Sequence, residues 1–564
     1  MFTLRNLCFY SIIGFAINLF STCFLQAGLG DFVNPGASLS LSDTHLVGEK
    51  DGDESGRSVA NAGDVDGDGL NDVLVGSPHS DNRFEFNSGK TYLILAKSIL
   101  SHSGTIDLGN ADYVFIGENP GDGSGWSVAS AGDLDHDGRD DILIGAPWFD
   151  MPHVVGGEGI WGILVARTNV GKTYVILSST ILASSGTVNL SNADYSIIGE
   201  DYPSTIGASV ANAGDVDGDG YNDILIGSWW GSTQWGGPEN GVAYLIPGRT
   251  LLASSGTLDL LLNPPNVYRF YLNGSYNHLG RSVSSAGDVD GDGLADILIG
   301  GPRGDPWPQI DRGPGKVYLK LGKNLPMPSS LTSINLSVQA DYTFVGDGGS
   351  IEDGVGSAVS NAGDIDGDGV PDLLMGAPYD DSGGNNAGKV YLVLGSTIGL
   401  LPVGSTINLS SADYFFPGTD PDDFLGRSVS SAGDIDGDGL ADILMGAPEN
   451  AYSSTGPDRG VTYLFKGSKI VASGGGQIQL SSANYIFKGE YLRNASGFSV
   501  SGAGDVNGDH LSDILIGAPK NDTCGVDAGK TYLVLTGRYL DSQHNEGSSD
   551  TKSEKKKSPF GGLF

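Results

Sequence analysis

Short apolar runs alternate along the chain with clusters of glycine, aspartate and asparagine. The runs are four to eight residues long and rich in Val, Ile, Leu and Tyr, as in GKTYLIL (Gly89–Leu95) and DILIGAP (Asp141–Pro147). Another run alternates small polar and apolar residues, as in GRSVANAGD (Gly56–Asp64). Runs of this length between turn-forming residues predict β-strands rather than helices.

This strand pattern returns seven times around one nine-residue acidic string. The copies begin at Asp64, Asp133, Asp215, Asp288, Asp364, Asp434 and Asp505, which are 69, 82, 73, 76, 70 and 71 residues apart. Three or four antiparallel strands per unit, repeated seven times, predict an all-β fold, a seven-bladed β-propeller over residues 38–537. An open solenoid would need capping repeats at its ends, and the sequence shows none.

The two ends of the repeat region are expected to pair. Residues Ser38–Glu49 resemble the run that leads into each later unit, whereas the last unit ends at GKTYLVLTG without such a run. We predict that Leu39–Leu41 supplies the missing outer strand of the seventh blade. Such closure would remove an exposed sheet edge.

Six of the seven strings carry Asp at positions one, three, five and nine, and these carboxylates would repel one another in a bare loop. A hard cation bound between the carboxylates would offset this repulsion, because Ca²⁺ takes six to eight oxygen ligands at about 2.3–2.6 Å. The position-seven carbonyl adds an oxygen, and glycine at position six allows a sharp turn. We therefore predict up to seven calcium sites, one hairpin loop per blade. The predicted ligands are Asp64, Asp66, Asp68, Leu70, Asp72; Asp133, Asp135, Asp137, Arg139, Asp141; Asp215, Asp217, Asp219, Tyr221, Asp223; Asp288, Asp290, Asp292, Leu294, Asp296; Asp364, Asp366, Asp368, Val370, Asp372; Asp434, Asp436, Asp438, Leu440, Asp442; and Asp505, Asn507, Asp509, Leu511, Asp513.

The loops depart from an EF-hand, since position twelve of the first is Val75 and an apolar β run follows. The alternative is that the strings are only polar hairpin turns. His136 replaces glycine at position four of the second loop, while Asn507 and His510 alter the seventh, where we expect the weakest site. Oxygen ligands favour calcium over zinc. At extracellular-type affinities the metal would be structural rather than catalytic.

Charge and composition narrow the function. The chain has 31 Lys and Arg against 68 Asp and Glu, a net charge of −37, which excludes nucleic acid as the expected partner. Arg5 precedes an apolar run that predicts a secretory signal over residues 1–27, with an uncleaved membrane anchor as the alternative. Both interpretations place the chain in a secreted or cell-surface location, with membrane contact only through that segment. The polar tail, 541–564, is predicted to be disordered.

The motifs around each loop resemble the FG-GAP repeats of integrin α-subunit propellers. GAP follows the loop at Gly145, Gly376, Gly446 and Gly517, with variants at Gly76, Gly227 and Gly300. The glycine of the FG pair remains at Gly56, Gly125, Gly207, Gly280, Gly356, Gly426 and Gly497, but no Phe precedes it. The resemblance implies adhesion or partner binding. Integrin α-chains carry calcium in only some blades, whereas all seven strings are present here.

Six of the seven tryptophans fall on the GAP-to-GK loops, at the end of the blades opposite the acidic strings. They are Trp148, Trp161, Trp229, Trp230, Trp235 and Trp307. They predict a protein- or sugar-binding patch, and packing among themselves is the alternative. We expect a non-catalytic binding module, since HExxH, G-x-S-x-G and P-loop motifs are absent. A lectin is the second hypothesis, and a polysaccharide- or phospholipid-cleaving enzyme the third.

Six Asn-x-Ser/Thr sequons, including Asn189, Asn335 and Asn408, fall partly at equivalent positions of the repeat. They are interpreted mainly as marks of the repeat, with glycosylation as a further expectation.

Overall fold

The chain forms seven five-stranded sheets around a common axis. The computed structural model describes residues 37–39, 42, 44–81, 87–102, 104–155, 163–200, 204–230, 240–273, 277–302, 313–328, 330–348, 353–449 and 459–537. Each sheet holds one copy of the acidic string, and we number the blades 1 to 7 in the order of those strings. The first strands of neighbouring blades contact one another all the way round the ring. The predicted all-β, seven-bladed β-propeller is therefore confirmed.

Four strands of each blade run antiparallel from the axis outwards. The first strands are Ser58–Gly63, Ser127–Gly132, Ser209–Gly214, Val283–Gly287, Ala358–Gly363, Ser428–Gly433 and Ser499–Gly504. The second strands are Asp72–Ser77, Asp141–Ala146, Asp223–Ser228, Asp296–Gly301, Asp372–Ala377, Asp442–Ala447 and Asp513–Ala518. The third strands are Lys90–Ile94, Lys172–Ile176, Val242–Ile246, Lys316–Lys320, Lys389–Val393, Val461–Phe465 and Lys530–Val534. The fourth strands of blades 1 to 6 are Tyr113–Ile116, Tyr195–Ile198, Tyr268–Tyr271, Tyr342–Val345, Tyr414–Pro417 and Tyr485–Lys488.

A fifth strand, which the sequence did not predict, lies parallel to the fourth at the outer edge of every blade. After the third strand of a blade, the chain first forms the fifth strand of the preceding blade. It then returns and forms the fourth strand of the blade that it left. For blades 1 to 7 the fifth strands are Thr187–Asn189, Thr257–Asp259, Thr332–Asn335, Ser405–Asn408, Gly476–Gln477, Ala37–Ser38 and Gly104–Asp107. They span two to four residues, too few to show an alternating pattern.

One short helix lies between each third strand and the fifth strand that follows it, and another lies between that fifth strand and the next fourth strand. The α-helices are Ala96–Ser101, Ser178–Ala183, Gly248–Leu252, Leu336–Gln339, Gly395–Gly399 and Gly467–Ala472, and the 3₁₀-helices are Leu108–Asn110, Leu190–Asn192, Leu260–Leu262, Gly322–Asn324, Leu409–Ser411 and Leu480–Ser482. A further hairpin pairs Met151–Val155 with Ile163–Arg167. Within the described ranges, no helix has the length and apolar character needed to cross a bilayer.

The N-terminal segment closes the ring, but through different residues from those predicted. Thr44–Val47 is the fourth strand of blade 7 and pairs antiparallel with Lys530–Val534. The assignment of this role to Leu39–Leu41 was wrong: Leu39 is buried and follows Ala37–Ser38, the fifth strand of blade 6. The N-terminal segment thus forms a fifth strand of one blade and then a fourth strand of the next, as the chain does after the third strand in the other blades. Residues 40 and 41 lie outside the described residues, as do the predicted signal, 1–27, and the tail, 541–564.

The apolar core lies between neighbouring blades. Every residue of the second strands is buried, because this strand has a strand on each side and a blade on each face. One cluster joins Val73 and Leu46 to Leu515 and Leu533, so blades 1 and 7 share a core across the closure. The ring is therefore closed by side-chain packing between blades 1 and 7 as well as by backbone hydrogen bonds within blade 7.

We expect Leu46→Ala to destabilise the whole propeller, because Leu46 is 0% exposed in the closing strand. Truncating a buried leucine costs about 2–5 kcal/mol. Thermal and denaturant unfolding measure the loss, with Leu400→Ala, at a side chain 86% exposed, as the matched control. A loss for Leu46→Ala no larger than that of the control would contradict the closure.

Candidate metal centres

Each acidic string is the loop between the first and second strands of its blade. A β-bulge ends every first strand, at Asn61 and Gly63 in blade 1. Gly63 has φ +78°, and a Cβ there would lie 2.1 Å from a carboxylate oxygen of Asp140 in the next blade. Only glycine fits this conformation and contact. The Gly-Asp pair that precedes every loop therefore has a steric origin, and the bulge delivers Asp64 into the loop.

The position-one aspartate folds the loop around itself. Asp64 Oδ1 accepts hydrogen bonds from the N–H groups of Gly67 (2.8 Å) and Asp68 (3.0 Å), and Oδ2 accepts from Gly69 (2.9 Å). Asp68 in turn accepts from the N–H of Leu70 at 3.0 Å. Equivalent bonds to position one occur at Asp215, Asp364, Asp434 and Asp505. The backbone is thus bent without strand or helix hydrogen bonds.

The position-nine aspartate begins the second strand and is 0% exposed in every blade. Asp72 Oδ2 accepts from the N–H of Val65 (2.9 Å), and Oδ1 accepts from Ala96 (2.8 Å), the first residue of the helix after the third strand. Both bonds recur in all seven blades. One carboxylate therefore joins the loop, the second strand and the helix.

Burial makes the charge on this carboxylate costly. Desolvation raises the pKa to about 7 at Asp72, Asp141, Asp296, Asp372, Asp442 and Asp513, and to about 8 at Asp223, although the two backbone N–H groups act in the opposite direction. Nearby loop aspartates add to the rise. A positive charge within the loop would stabilise the ionised form.

Positions one, three and nine converge. In blades 1 to 4 their carboxylate oxygens lie within 4.8 Å of one another, in the groups Asp64–Asp66–Asp72, Asp133–Asp135–Asp141, Asp215–Asp217–Asp223 and Asp288–Asp290–Asp296. Three hard oxygen donors at this separation fit a divalent cation such as Ca²⁺. In addition, lysines pair with position three in blades 1, 4 and 6: Lys97 with Asp66, Lys323 with Asp290, and Lys466 with Asp436.

Neighbouring loops are joined to one another, a feature that the sequence did not predict. The N–H of Asp140 at position eight donates to the carbonyl of Asp64 in the preceding blade (3.0 Å), and Asp64 N–H donates back to the Asp140 carboxylate (2.8 Å). The same position-eight bond to a position-one carbonyl is made by Asn71, Ala295, Ala441 and Ser512. Pro371 occupies this position in blade 5 and has no N–H to donate.

Side chains at position seven also cross between loops. The prediction used only their carbonyls, but Tyr221 packs edge-on against His136 of the preceding loop with ring centroids 4.4 Å apart. His136 takes the left-handed φ of +61° that glycine takes at position four elsewhere, and His510 does the same at position six with φ +68°. In the seventh loop Asn507 accepts from the N–H of Asp509 at 3.0 Å. That this loop is the weakest site stays a prediction.

The predicted tryptophan patch is partly described. Trp148 packs edge-on against Trp126, with centroids 4.4 Å apart, and Trp229 contacts Trp230 at 5.4 Å. Trp230 is 41% exposed. Trp161, Trp235 and Trp307 lie outside the described residues. Packing within the patch is therefore real, and Trp126, which sequence reasoning did not select, belongs to it.

Seven copies of the FG-GAP repeat match this chain, at residues 55–94, 124–176, 206–246, 279–319, 355–393, 425–465 and 496–534. Each match holds the first three strands and the acidic loop of one blade. The chain belongs to the FG-GAP repeat family. The predicted resemblance to integrin α-subunit propellers is confirmed by relatives that carry that name.

Three relatives illustrate the similarity. The chain is 28% identical to integrin alpha pat-2 of Caenorhabditis elegans over 45% of its own length and 18% of the relative's. It is 33% identical to integrin alpha-5 of Xenopus laevis over 33% of its length and 15% of the relative's. It is 29% identical to phosphatidylinositol-glycan-specific phospholipase D of Bos taurus over 48% of its length and 29% of the relative's. The similarity thus covers less than a third of each relative.

The FG-GAP propeller also joins its blades at the end opposite the acidic loops. Lysines that begin third strands pair with acidic residues after the fourth strand of the preceding blade, as in Lys90–Glu49 (2.6 Å) and Lys172–Glu118 (2.5 Å). Asp122 also follows the fourth strand of blade 1, is buried, and accepts a hydrogen bond from the N–H of Asn119 at 2.9 Å. Burial raises the pKa of Asp122 to about 7.

The raised pKa predicts a pH effect on stability. Because the folded carboxyl of Asp122 holds its proton more tightly than an unfolded aspartate, its contribution favours folding below about pH 4 and is lost as the pH rises to about 7. We expect Asp122→Asn to have a higher Tm than the parent chain at pH 8, and the difference to shrink towards pH 4. Scanning calorimetry across this range tests it, with exposed Asp420→Asn as the control. A pH-independent Tm difference would contradict the assignment.

Proposed function

We propose that this chain is a secreted or cell-surface binding module of the adhesion type, whose propeller is stabilised by calcium. The observation that carries the proposal is the acidic loop, built alike in each blade around a buried aspartate. Family membership and the integrin alpha relatives support a binding role. The proposed role is non-catalytic, because we assign the repeated acidic loop a structural role.

We assign Ca²⁺ to the loops, with up to seven ions. Carboxylates at positions one, three, five and nine and the position-seven carbonyl would hold the ion, which would supply positive charge to the buried aspartates. At Kd values of about 10⁻⁴–10⁻³ M and roughly 1 mM Ca²⁺, each site adds about 0.4–1.4 kcal/mol. Seven independent sites give roughly 3–10 kcal/mol, similar to the net stability of a typical protein. Occupancy would therefore decide whether the ring is stable.

The ligand is proposed to bind at the end of the propeller opposite the metal loops. Trp148, Trp229 and Trp230 lie there, on loops between second and third strands. Aromatic side chains on such loops are common in protein interfaces. The integrin alpha relatives favour a protein ligand, and a glycan ligand is the second candidate. An extracellular location rests on the apolar segment in residues 1–27, proposed to be a signal or an anchor.

An enzyme is the remaining alternative, since one relative is a phosphatidylinositol-glycan-specific phospholipase D. The aligned stretch covers 29% of that relative and 48% of this chain. The sequons require no separate function, because the side chains of Asn189, Asn335 and Asn408 cap helices that follow the fifth strands. Glycosylation at these positions stays a prediction.

Binding assays separate these functions. The purified full chain, labelled and held in about 1 mM Ca²⁺, is applied in parallel to an array of extracellular proteins and to a glycan array. We expect saturable binding to protein spots that is lost in chelator. The double variant Trp229→Ala/Trp230→Ala should bind about tenfold more weakly or worse, whereas Leu400→Ala, placed after a helix on the metal side, should not change.

Other outcomes overturn the proposal in distinct ways. Binding to glycans alone, lost in the tryptophan variant, would make the chain a lectin. Release of product from phosphatidylinositol glycan by the purified chain would make it an enzyme. Protein binding that is unaffected by chelator would separate the binding role from the metal loops.

A further inference from the structure

A pocket lies on the propeller axis, at the end opposite the metal loops. It is lined by residues that directly follow the glycine before each first strand, together with Trp229 from a blade 3 loop. Its charged and aromatic members are Arg57, Trp126, Trp229, Arg281, Arg427 and Phe498. The cavity has a volume of about 150 Å³. Because one residue comes from each blade, the pocket exists only in the closed ring.

The pocket concentrates positive charge in a strongly acidic protein. Three of its side chains are arginines, while the chain as a whole carries a net charge of −37. Burial lowers the pKa of Arg57, and the like charge of Arg427 lowers it further, although Glu54 and Glu449 oppose the shift. Like charges held this close favour an anion between them.

Aromatic rings hold the guanidinium groups in place. The Arg57 guanidinium lies 3.8 Å from the ring centroid of Trp126 and 5.1 Å from that of Phe498. Arg427 lies 5.1 Å from Phe498, and Arg281 lies 5.3 Å from Trp229. A guanidinium packed against aromatic rings is restricted in movement and still has N–H groups for hydrogen bonds. The rings therefore preorganise the donors.

Among the described residues, the positive charge of the pocket is only partly compensated by carboxylates. Arg57 is paired with Glu54 at 2.9 Å. Across the described ranges, the Arg427 guanidinium has no carboxylate within 4.0 Å, and it lies against the ring of Phe498. A ligand carboxylate would meet a guanidinium that is positioned by packing rather than by an ion pair.

The donor pattern selects the ligand chemistry. Guanidinium groups only donate hydrogen bonds, and a carboxylate only accepts them. A sugar would also need acceptors for its hydroxyl hydrogens. The remaining lining residues are Ala208 and Ser357, and the Ser357 hydroxyl already donates to the Gly354 carbonyl at 2.8 Å. An acidic side chain fits this pocket better than a sugar.

We propose that the axial pocket binds a Glu or Asp side chain from an acidic segment of a protein partner. The inference deepens the proposed function, on which it rests, by giving the binding module a ligand chemistry. The ring of residues admits a projecting side chain at its centre. The surrounding negative surface repels acidic chains in general, so binding of one must come from the pocket.

Fluorescence anisotropy with a labelled hexaglutamate peptide tests the proposal, using the full chain at about 0.15 M ionic strength. We expect saturable binding of hexaglutamate and none of hexaglutamine. Arg427→Gln and Arg281→Gln should each weaken binding about tenfold or more, because each removes charged hydrogen bonds. Arg249→Gln, an exposed arginine in a helix on the metal side, is the matched control and should bind as the parent does.

Several results would overturn the inference. One is a failure of hexaglutamate to bind. Another is equal binding by all three variants when their Tm values match the parent's. A third is preferential binding of oligogalacturonate, which would assign the pocket to acidic sugars. Calcium-dependent binding on the protein array with a failed hexaglutamate titration would remove the pocket and leave the proposed function intact. Failure of the array binding alone would remove the proposed function and leave the pocket's chemistry standing.

Discussion

The structure depends on one aspartate carboxylate in each blade that is buried, where burial makes its ionised form unfavourable. The position-nine aspartate, such as Asp72, is fully buried at the start of the most buried strand of its blade. Its two oxygens accept backbone N–H groups from the loop and from the helix after the third strand. No apolar residue could accept these two hydrogen bonds, which accounts for a carboxyl group at a place where burial raises the pKa of Asp72 to about 7. If a cation compensates the charge of the ionised form, as we propose, metal binding is linked to folding.

The same loops also determine how blades meet. Position eight bonds to position one of the preceding loop, and Tyr221 packs on His136 across another junction. At the opposite end, ion pairs such as Lys90–Glu49 join blades again. The axis is thereby fixed at both ends. One end carries the acidic loops, and the other leaves Arg57, Arg281 and Arg427 facing a common pocket.

Sequence reasoning succeeded where the signal is local and repeated. Seven acidic strings and continuous apolar runs such as DILIGAP were enough to predict strands and their assembly into a seven-bladed propeller. It failed where partners are distant in the chain. Gly476–Gln477 is too short to show a strand pattern. The closing strand was placed at Leu39–Leu41, where the sequence alternates, whereas Thr44–Val47, which pairs with the last third strand, does not alternate. The pocket arginines, Arg57, Arg281 and Arg427, lie 224 and 146 residues apart in the chain and meet only through ring closure.

Scanning calorimetry of the full chain in about 1 mM Ca²⁺ and again in excess chelator tests the central claim most directly. If cations compensate the buried aspartates, chelator should lower the Tm and remove roughly 3–10 kcal/mol of unfolding free energy, and returning Ca²⁺ should restore both. An unchanged Tm in chelator would contradict the account, because the loops would then hold the ring together without metal.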